Sequence, residues 1–456
     1  MGDAAMNGNG NYQSFLARKA IADHASGFAP VWMPDFLFDF QAYLVDWAVR
    51  KGRCAIFADC GMGKTPIQLV WAENVVRHTN RPVLILTPLA VAEQTMREAS
   101  KFGVACVHSR DGSVHSSPCA VVTNYERLHR FRPEDFSGVC CDESSILKNY
   151  TGATRNQIIE FVRTIPFRML CSATPSPNDY TELGNSAEAL GVMRRVEMLS
   201  MYFTHDQDAT QGWRLKGHGV RPFWRFVASW ARAVRFPSDI GFDDGPFVLP
   251  PIERKDHILP SEAPPGELFP RIAMTLNDQR RERKLTMRER CQMVSDIANS
   301  TIDPFLAWCS LNDESRMMAS MIDGAVEVTG SQSDEEKEEK IKAFSSGEAR
   351  CIVTKPSIAG FGLNWQHCSD MSFFPSHSHE QYYQAVRRCW RFGQDRPVTV
   401  NVVATESERA VMDNLDAKEK SATAMFEQIV SSMKEYYERS TTDYKPSTEV
   451  LIPSWM

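Results

Sequence analysis

The run Ala58-Asp59-Cys60-Gly61-Met62-Gly63-Lys64-Thr65 has the residue types and spacing of a phosphate cradle. Glycines at 61 and 63 let the chain turn tightly, so that backbone N–H groups of Gly61, Met62, Gly63, Lys64 and Thr65 can face phosphate oxygens at a helix N-terminus. Lys64 then reaches the β- and γ-phosphates of a nucleotide, and the Thr65 hydroxyl can hold Mg²⁺. A cradle of this kind needs an acid at the end of a neighbouring strand. The run Val139-Cys140-Cys141-Asp142-Glu143-Ser144-Ser145 supplies one. Asp142 is the candidate for binding Mg²⁺, usually through water, and Glu143 is the candidate for orienting and deprotonating the attacking water.

These loops need strands and helices to place them. Apolar, β-branched runs at 53–59, 83–87, 104–109, 120–124, 139–142 and 169–172 alternate with helical patterns, which predicts parallel strands with helical crossovers. The rhythm returns at 306–310, 325–329, 351–354, 371–374 and 398–403, which predicts a second α/β lobe. The proline-rich stretch 236–270 reads as the hinge between them, unsuited to a helix or central strand. Residues 407–438 read as helix, and the acidic run 334–339 as the solvated start of another. The expected division is an N-terminal extension (1–35), an ATP-binding lobe with a helical insertion (36–245), a second lobe (250–440) and a tail (441–456).

Composition narrows the class. With 456 residues, 43% of them hydrophobic and 24% charged, the chain can build more than one core and is not disordered throughout. Its longest apolar stretch, 83–92, is far shorter than the roughly 18 residues of a membrane span, so no membrane association is expected. The first dozen residues lack the basic start and apolar core of a secretory signal. Twelve scattered cysteines include no Cys-x-x-Cys pair, so they read as buried thiols in a reducing, cytoplasmic compartment. His367-Cys368 and His377-x-His379 give little support for a metal beyond Mg²⁺. Net charge is −6, yet residues 194–235 and 271–290 are locally basic, the first interleaved with Trp213, Phe223, Trp224 and Trp230. Both are candidate nucleic-acid contacts.

One further segment makes the pattern specific. Met169-Leu170-Cys171-Ser172-Ala173-Thr174-Pro175 follows the phosphate loop and the acid pair, and the three in this order resemble the first-lobe motifs of superfamily 2 helicases and translocases. The second half is similar to the Swi/Snf-type subgroup: Thr329-Gly330-Ser331 with residues 335–344, then Ala359-Gly360-Phe361-Gly362-Leu363-Asn364, then the run from Gln384 through Arg387, Arg388, Cys389, Trp390, Arg391 and Phe392 to Gln394. The resemblance covers residues 38–394. It implies an α/β fold of two RecA-like parallel-sheet lobes with helical insertions, using ATP and Mg²⁺. It also implies a DNA-dependent ATPase that translocates on or remodels double-stranded DNA or protein–DNA complexes, in the compact form found in phages and mobile elements. A strand-separating DNA or RNA helicase, and a clamp switched by ATP, are the alternatives.

The same resemblance assigns residues. Gln41 would read the adenine edge, and Gly362, with Gly360, would allow close backbone approach to nucleotide or DNA. Ser172 and Thr174 would couple the lobes. Thr87, Pro88, Thr123 and Asn124 would contact the nucleic-acid backbone. Arg388 and Arg391 would be arginine fingers reaching the γ-phosphate from the second lobe. Three features depart from the family pattern: Arg387 stands where Asp is usual, Trp390 where His is common, and Asp-Glu-Ser-Ser replaces Asp-Glu-Ala-His.

Overall fold

Strand β1 (Arg53–Ala58) is buried from Cys54 onward. Its pleat sends Cys54, Ile56 and Ala58 into one hydrophobic core and Ala55 and Phe57 into another on the opposite face. A strand apolar on both faces belongs in the middle of a parallel sheet covered on both sides. The computed structural model describes residues 25–442 except 89–90, 115–116, 149–151, 177–178, 207–211, 262–280, 282, 360–362 and 377. In it β1 pairs in parallel with β6 (Phe167–Cys171) on one side and β9 (Ala231–Val234) on the other. With β2 (Val83–Thr87), β3 (Cys106–His108), β4 (Ala120–Asn124) and β5 (Gly138–Cys141) they form a seven-stranded sheet in the order β3-β4-β2-β5-β6-β1-β9.

A two-stranded antiparallel hairpin, β7 (Phe203–His205) with β8 (Trp213–Leu215), stands apart within the insertion of this lobe. The second lobe holds a six-stranded parallel sheet. Its order is β10 (Ile252–Leu259), β15 (Val398–Thr405), β14 (Asp370–Phe373), β11 (Phe305–Trp308), β13 (Cys351–Thr354) and β12 (Ala325–Val328). The protein thus has two RecA-like parallel-sheet lobes. The acidic helix Asp334–Ser346 starts where the sequence places it, with Ser333 Oγ accepting from the Glu336 N–H at 3.2 Å. All twelve cysteines are free, and all but Cys106 are buried. Among the described residues no helix is long and apolar enough to cross a membrane.

Three features differ from the sequence reading. The proline-rich stretch is not hinge throughout, because 252–259 contains no proline and runs as β10 at the sheet edge, where only β15 must be satisfied. The helix at the C-terminus, Arg409–Thr442, does not stay with the second lobe. Its first half carries Leu415 into that lobe's core, while Met425, Phe426, Ile429, Val430 and Met433 enter the core of the first. Finally, three of the four aromatic side chains noted in the first basic segment face inward, while Trp213, on β8, is partly buried. Phe223, Trp224 and Trp230 lie on the inner face of the helix Val220–Trp230 and are buried in the first lobe's core.

Candidate active site

Every first-lobe candidate residue but Gln41 sits at the C-terminal end of a strand, in the loop after it or, for Lys64 and Thr65, in the first turn of the helix that the loop enters, at the edge where open α/β sheets bind ligands. The phosphate loop leaves β1 and enters the helix Lys64–Thr79 through two left-handed glycines, Gly61 (φ 92°) and Gly63 (φ 77°). The positive φ requires glycine at 63, and a Cβ there would also lie 2.2 Å from Gln41 Nε2 and displace that side chain. Gln41 belongs to the helix Asp39–Lys51, and its amide donates to Met62 O at 3.1 Å and accepts from the Phe38 N–H at 3.2 Å. Gln41 therefore braces the loop, with one N–H and one lone pair left for a base. Lys64 folds back within the loop, donating to Ala58 O at 3.0 Å. Burial alone would lower the pKa of its ammonium, but Cys60, Glu143, Asp142 and Asp59 around it outweigh burial and raise it.

The acid pair follows β5. Asp142 is buried, its N–H donates to Leu86 O at 2.8 Å, and Tyr125 Oη donates to its carbonyl at 2.6 Å. Asp142 Oδ1 accepts from Gln68 Nε2 at 2.7 Å. Gln68 escaped the sequence reading, although an amide one turn after Thr65 in the otherwise apolar run Ile67 to Trp71 was the available signal. Glu143 takes a left-handed backbone (φ 47°), rare for a side chain of its size, which fits a site that fixes its direction. Burial, partly offset by Lys64 and reinforced by Asp142 and Glu380, pushes its carboxyl up to about 7. Glu143 Oε2 and Gln68 Oε1 are buried without a hydrogen-bond partner. Beside them, Ser172 Oγ at the end of β6 accepts from the Thr174 N–H at 3.0 Å, and Thr174 Oγ1 is buried and unpartnered.

The second lobe brings arginines to this edge. Arg388 and Arg391 follow the helix His379–Val386, and both donate to Leu363 O, at 3.1 and 3.3 Å. Neither has a carboxylate within ion-pair distance among the described residues. Burial, then the neighbouring Arg388 charge, lowers Arg391 to about 10, and its Nε lacks a partner. Buried guanidinium groups without counter-charge are the second half of an anion site. Arg388 is also near enough to Glu143 to pull its pKa down. Gly362, which the sequence reading assigns to the same site, lies outside the described residues, as does Gly360.

The oxygen donors Thr65 and Asp142, beside unpartnered buried polar atoms of Glu143, Gln68 and Arg391, fit a magnesium nucleotide, whose ion keeps water and phosphate ligands rather than an all-protein cage. Residues 289–393 match the family of the helicase conserved C-terminal domain. That domain carries the two arginines, and the phosphate loop, acid pair and Ser-Ala-Thr segment face it in order from the other sheet. The second lobe is thus similar to the helicase conserved C-terminal domain over residues 289–393. No curated protein matches it. Among solved structures it is similar to the SWI2/SNF2 ATPase core of Sulfolobus solfataricus in complex with double-stranded DNA, at 16% identity and TM-score 0.44, over 91% of this chain and 97% of that one.

The remaining assignments fall unevenly. Thr87, Thr123 and Asn124 are buried where β2 and β4 end side by side. Of the four, Pro88 alone is partly exposed. Part of the basic charge is spoken for: Arg221 and Arg225 both pair with Glu435, Arg232 is buried against Trp47, and Arg283 and Arg290 are buried around Glu408, whereas Arg281, Lys284 and Arg288 are exposed and 271–280 lies outside the described residues. Where the family pattern has histidine, a serine bridges the two lobes. Ser145, at the last position of Asp-Glu-Ser-Ser, donates to Glu380 Oε1 of the second lobe at 2.8 Å, and Lys148 pairs with the other oxygen of Glu380.

Proposed function

We propose that the protein is a helicase-like ATPase of superfamily 2 that is driven by duplex DNA and moves along it, or remodels protein–DNA complexes, in the manner of the Swi/Snf subgroup. The observation that carries the reading is one buried site divided between two lobes. Lys64, Asp142 and Glu143 stand on one side and Arg388 and Arg391 on the other, with unpartnered polar atoms on both. The N–H groups of the phosphate loop and Lys64 would hold the β- and γ-phosphates, Lys64 exchanging its bond to Ala58 O for phosphate oxygens. Arg388 and Arg391 would meet the γ-phosphate from the second lobe, where fixed guanidinium groups offset developing charge. Glu143 would take the proton of the attacking water on its free Oε2, while Gln68 keeps Asp142 oriented. Thr65 and Asp142 would hold Mg²⁺, which when bound neutralises charge between the β- and γ-oxygens.

The choice of duplex DNA rests on the Swi/Snf-like run from Gln384 to Gln394. Steady-state ATP hydrolysis with and without duplex DNA tests it, together with displacement of a third strand from a triplex, which reports movement without strand separation. Binding carried by phosphate contacts should weaken with salt at a log–log slope of about −0.9 per contact. Stimulation by RNA alone would overturn the choice. A second reading, strand separation, is favoured by the β7–β8 hairpin, and unwinding of a forked duplex would support it. Free, buried thiols suit a cytoplasmic setting.

A further inference from the structure

Two of the three departures from the family pattern, Arg387 and Trp390, have a single use in the structure. The Arg387 guanidinium crosses from the second lobe and pairs with Asp59 Oδ2 at the start of the phosphate loop, both side chains being more than nine-tenths buried. Tyr383, one turn earlier on the helix His379–Val386, donates its hydroxyl to Asp59 Oδ1, which also accepts the Cys60 N–H at 2.5 Å. Arg387 lies 4.2 Å from the Trp390 ring centroid and 5.1 Å from that of Tyr383, so two aromatic faces fix the plane of its fork. Trp390 is held in turn by its indole N–H, which donates to Pro250 O at 2.7 Å. An aspartate at 387 would bring a second carboxylate against Asp59, and a histidine at 390 would offer Arg387 a smaller ring.

We propose that Arg387, stacked on Trp390 and paired with Asp59 alongside Tyr383, is the positioning residue that registers Arg388 and Arg391 on the phosphate loop. The inference rests on the ATPase reading. A buried pair holds only in good geometry, and breaking it strands a charge, so the contact is either made or lost and tolerates no gradual slippage. Because Arg388 is the next residue and Arg391 lies one turn further, displacement of Arg387 moves both groups that face the γ-phosphate.

The test compares wild type, Arg387→Met, Asp59→Asn, the double variant and the milder Tyr383→Phe, each checked for a native unfolding transition. Arg387→Met should lower DNA-stimulated kcat by on the order of tenfold or more, with ATP affinity measured at equilibrium changed by less than about threefold. The double variant should be no worse than the worse single, as expected of partners in one contact. In an Arg391→Ala background Arg387→Met should have little further effect, an outcome that a general loss of stability would not give. If Arg387→Met folds and hydrolyses ATP within about twofold of wild type, or if its effect adds fully to that of Arg391→Ala, the positioning role is wrong. Should Arg387→Met fail to fold, Tyr383→Phe decides: a fall in kcat of roughly fivefold at unchanged ATP affinity supports the role, and unchanged kcat overturns it. A wild type without ATPase activity, with or without DNA, overturns the ATPase reading itself and this inference with it.

Discussion

Glu143 combines a left-handed backbone, a buried unpartnered oxygen and a carboxyl raised to about 7 by burial, with the Asp142 and Glu380 charges adding to it. A base works best with a pKa near the operating pH, so this environment serves proton transfer. Glu143→Gln should leave the phosphate loop intact and ATP affinity nearly unchanged, while hydrolysis falls by roughly 10²–10⁴-fold. Lys64→Ala should instead weaken equilibrium nucleotide binding. Wild-type hydrolysis by Glu143→Gln in a purified preparation would remove Glu143 from the mechanism. The pH dependence follows from the sign of the shift. Below about 7 the free enzyme's Glu143 is protonated and cannot accept a proton, so kcat/KM should fall as pH drops through that value. An acidic limb that persists unchanged in the residual activity of Glu143→Gln would show that another group titrates.

At the scale of elements, the strands that carry the phosphate loop, the acid pair and Ser172 were legible because each is a short apolar run followed by a motif whose chemistry needs a strand end. What escaped had no local signature. Strand β10 is masked by the prolines around it, and the inward direction of Trp224 and Trp230 depends on which face of the helix Val220–Trp230 meets the sheet. The crossing of the long helix Arg409–Thr442 is a tertiary fact of the same kind. Ile429, fully buried against the first lobe, measures how much that seating matters. Ile429→Ala should destabilise the fold by about 2–5 kcal/mol, read as a lower midpoint in denaturant titration with an unchanged slope. A shift in midpoint too small to measure would mean that the helix end contributes little to the first lobe.

Over the whole molecule, the lobes meet closely at the phosphate loop, where a Cβ on Gly61 would lie 3.0 Å from the backbone N of Phe392 and 3.8 Å from Arg391 Cβ. Nothing the width of a triphosphate passes between surfaces so near, so nucleotide exchange requires the lobes to part at this edge. Two connections persist when they do, the chain 235–251 and the long helix seated on the first lobe. The parting is therefore a rotation rather than a separation. On the proposed function, ATP bridging Lys64 and Arg391 would favour the closed arrangement, and DNA bound across both lobes would favour it too. By linkage, each ligand must then tighten the binding of the other by the same factor, typically about 5–150-fold. Arg391→Ala should bind ATP through the first lobe, lose roughly a thousandfold in DNA-stimulated hydrolysis, and lose this mutual tightening. DNA affinity measured with and without a non-hydrolysable ATP analogue reads the coupling directly. Full DNA-stimulated turnover by Arg391→Ala would end the interlobe mechanism, whereas a wild type that couples its ligands and hydrolyses ATP yet never displaces a triplex would make the closure a switch rather than a step.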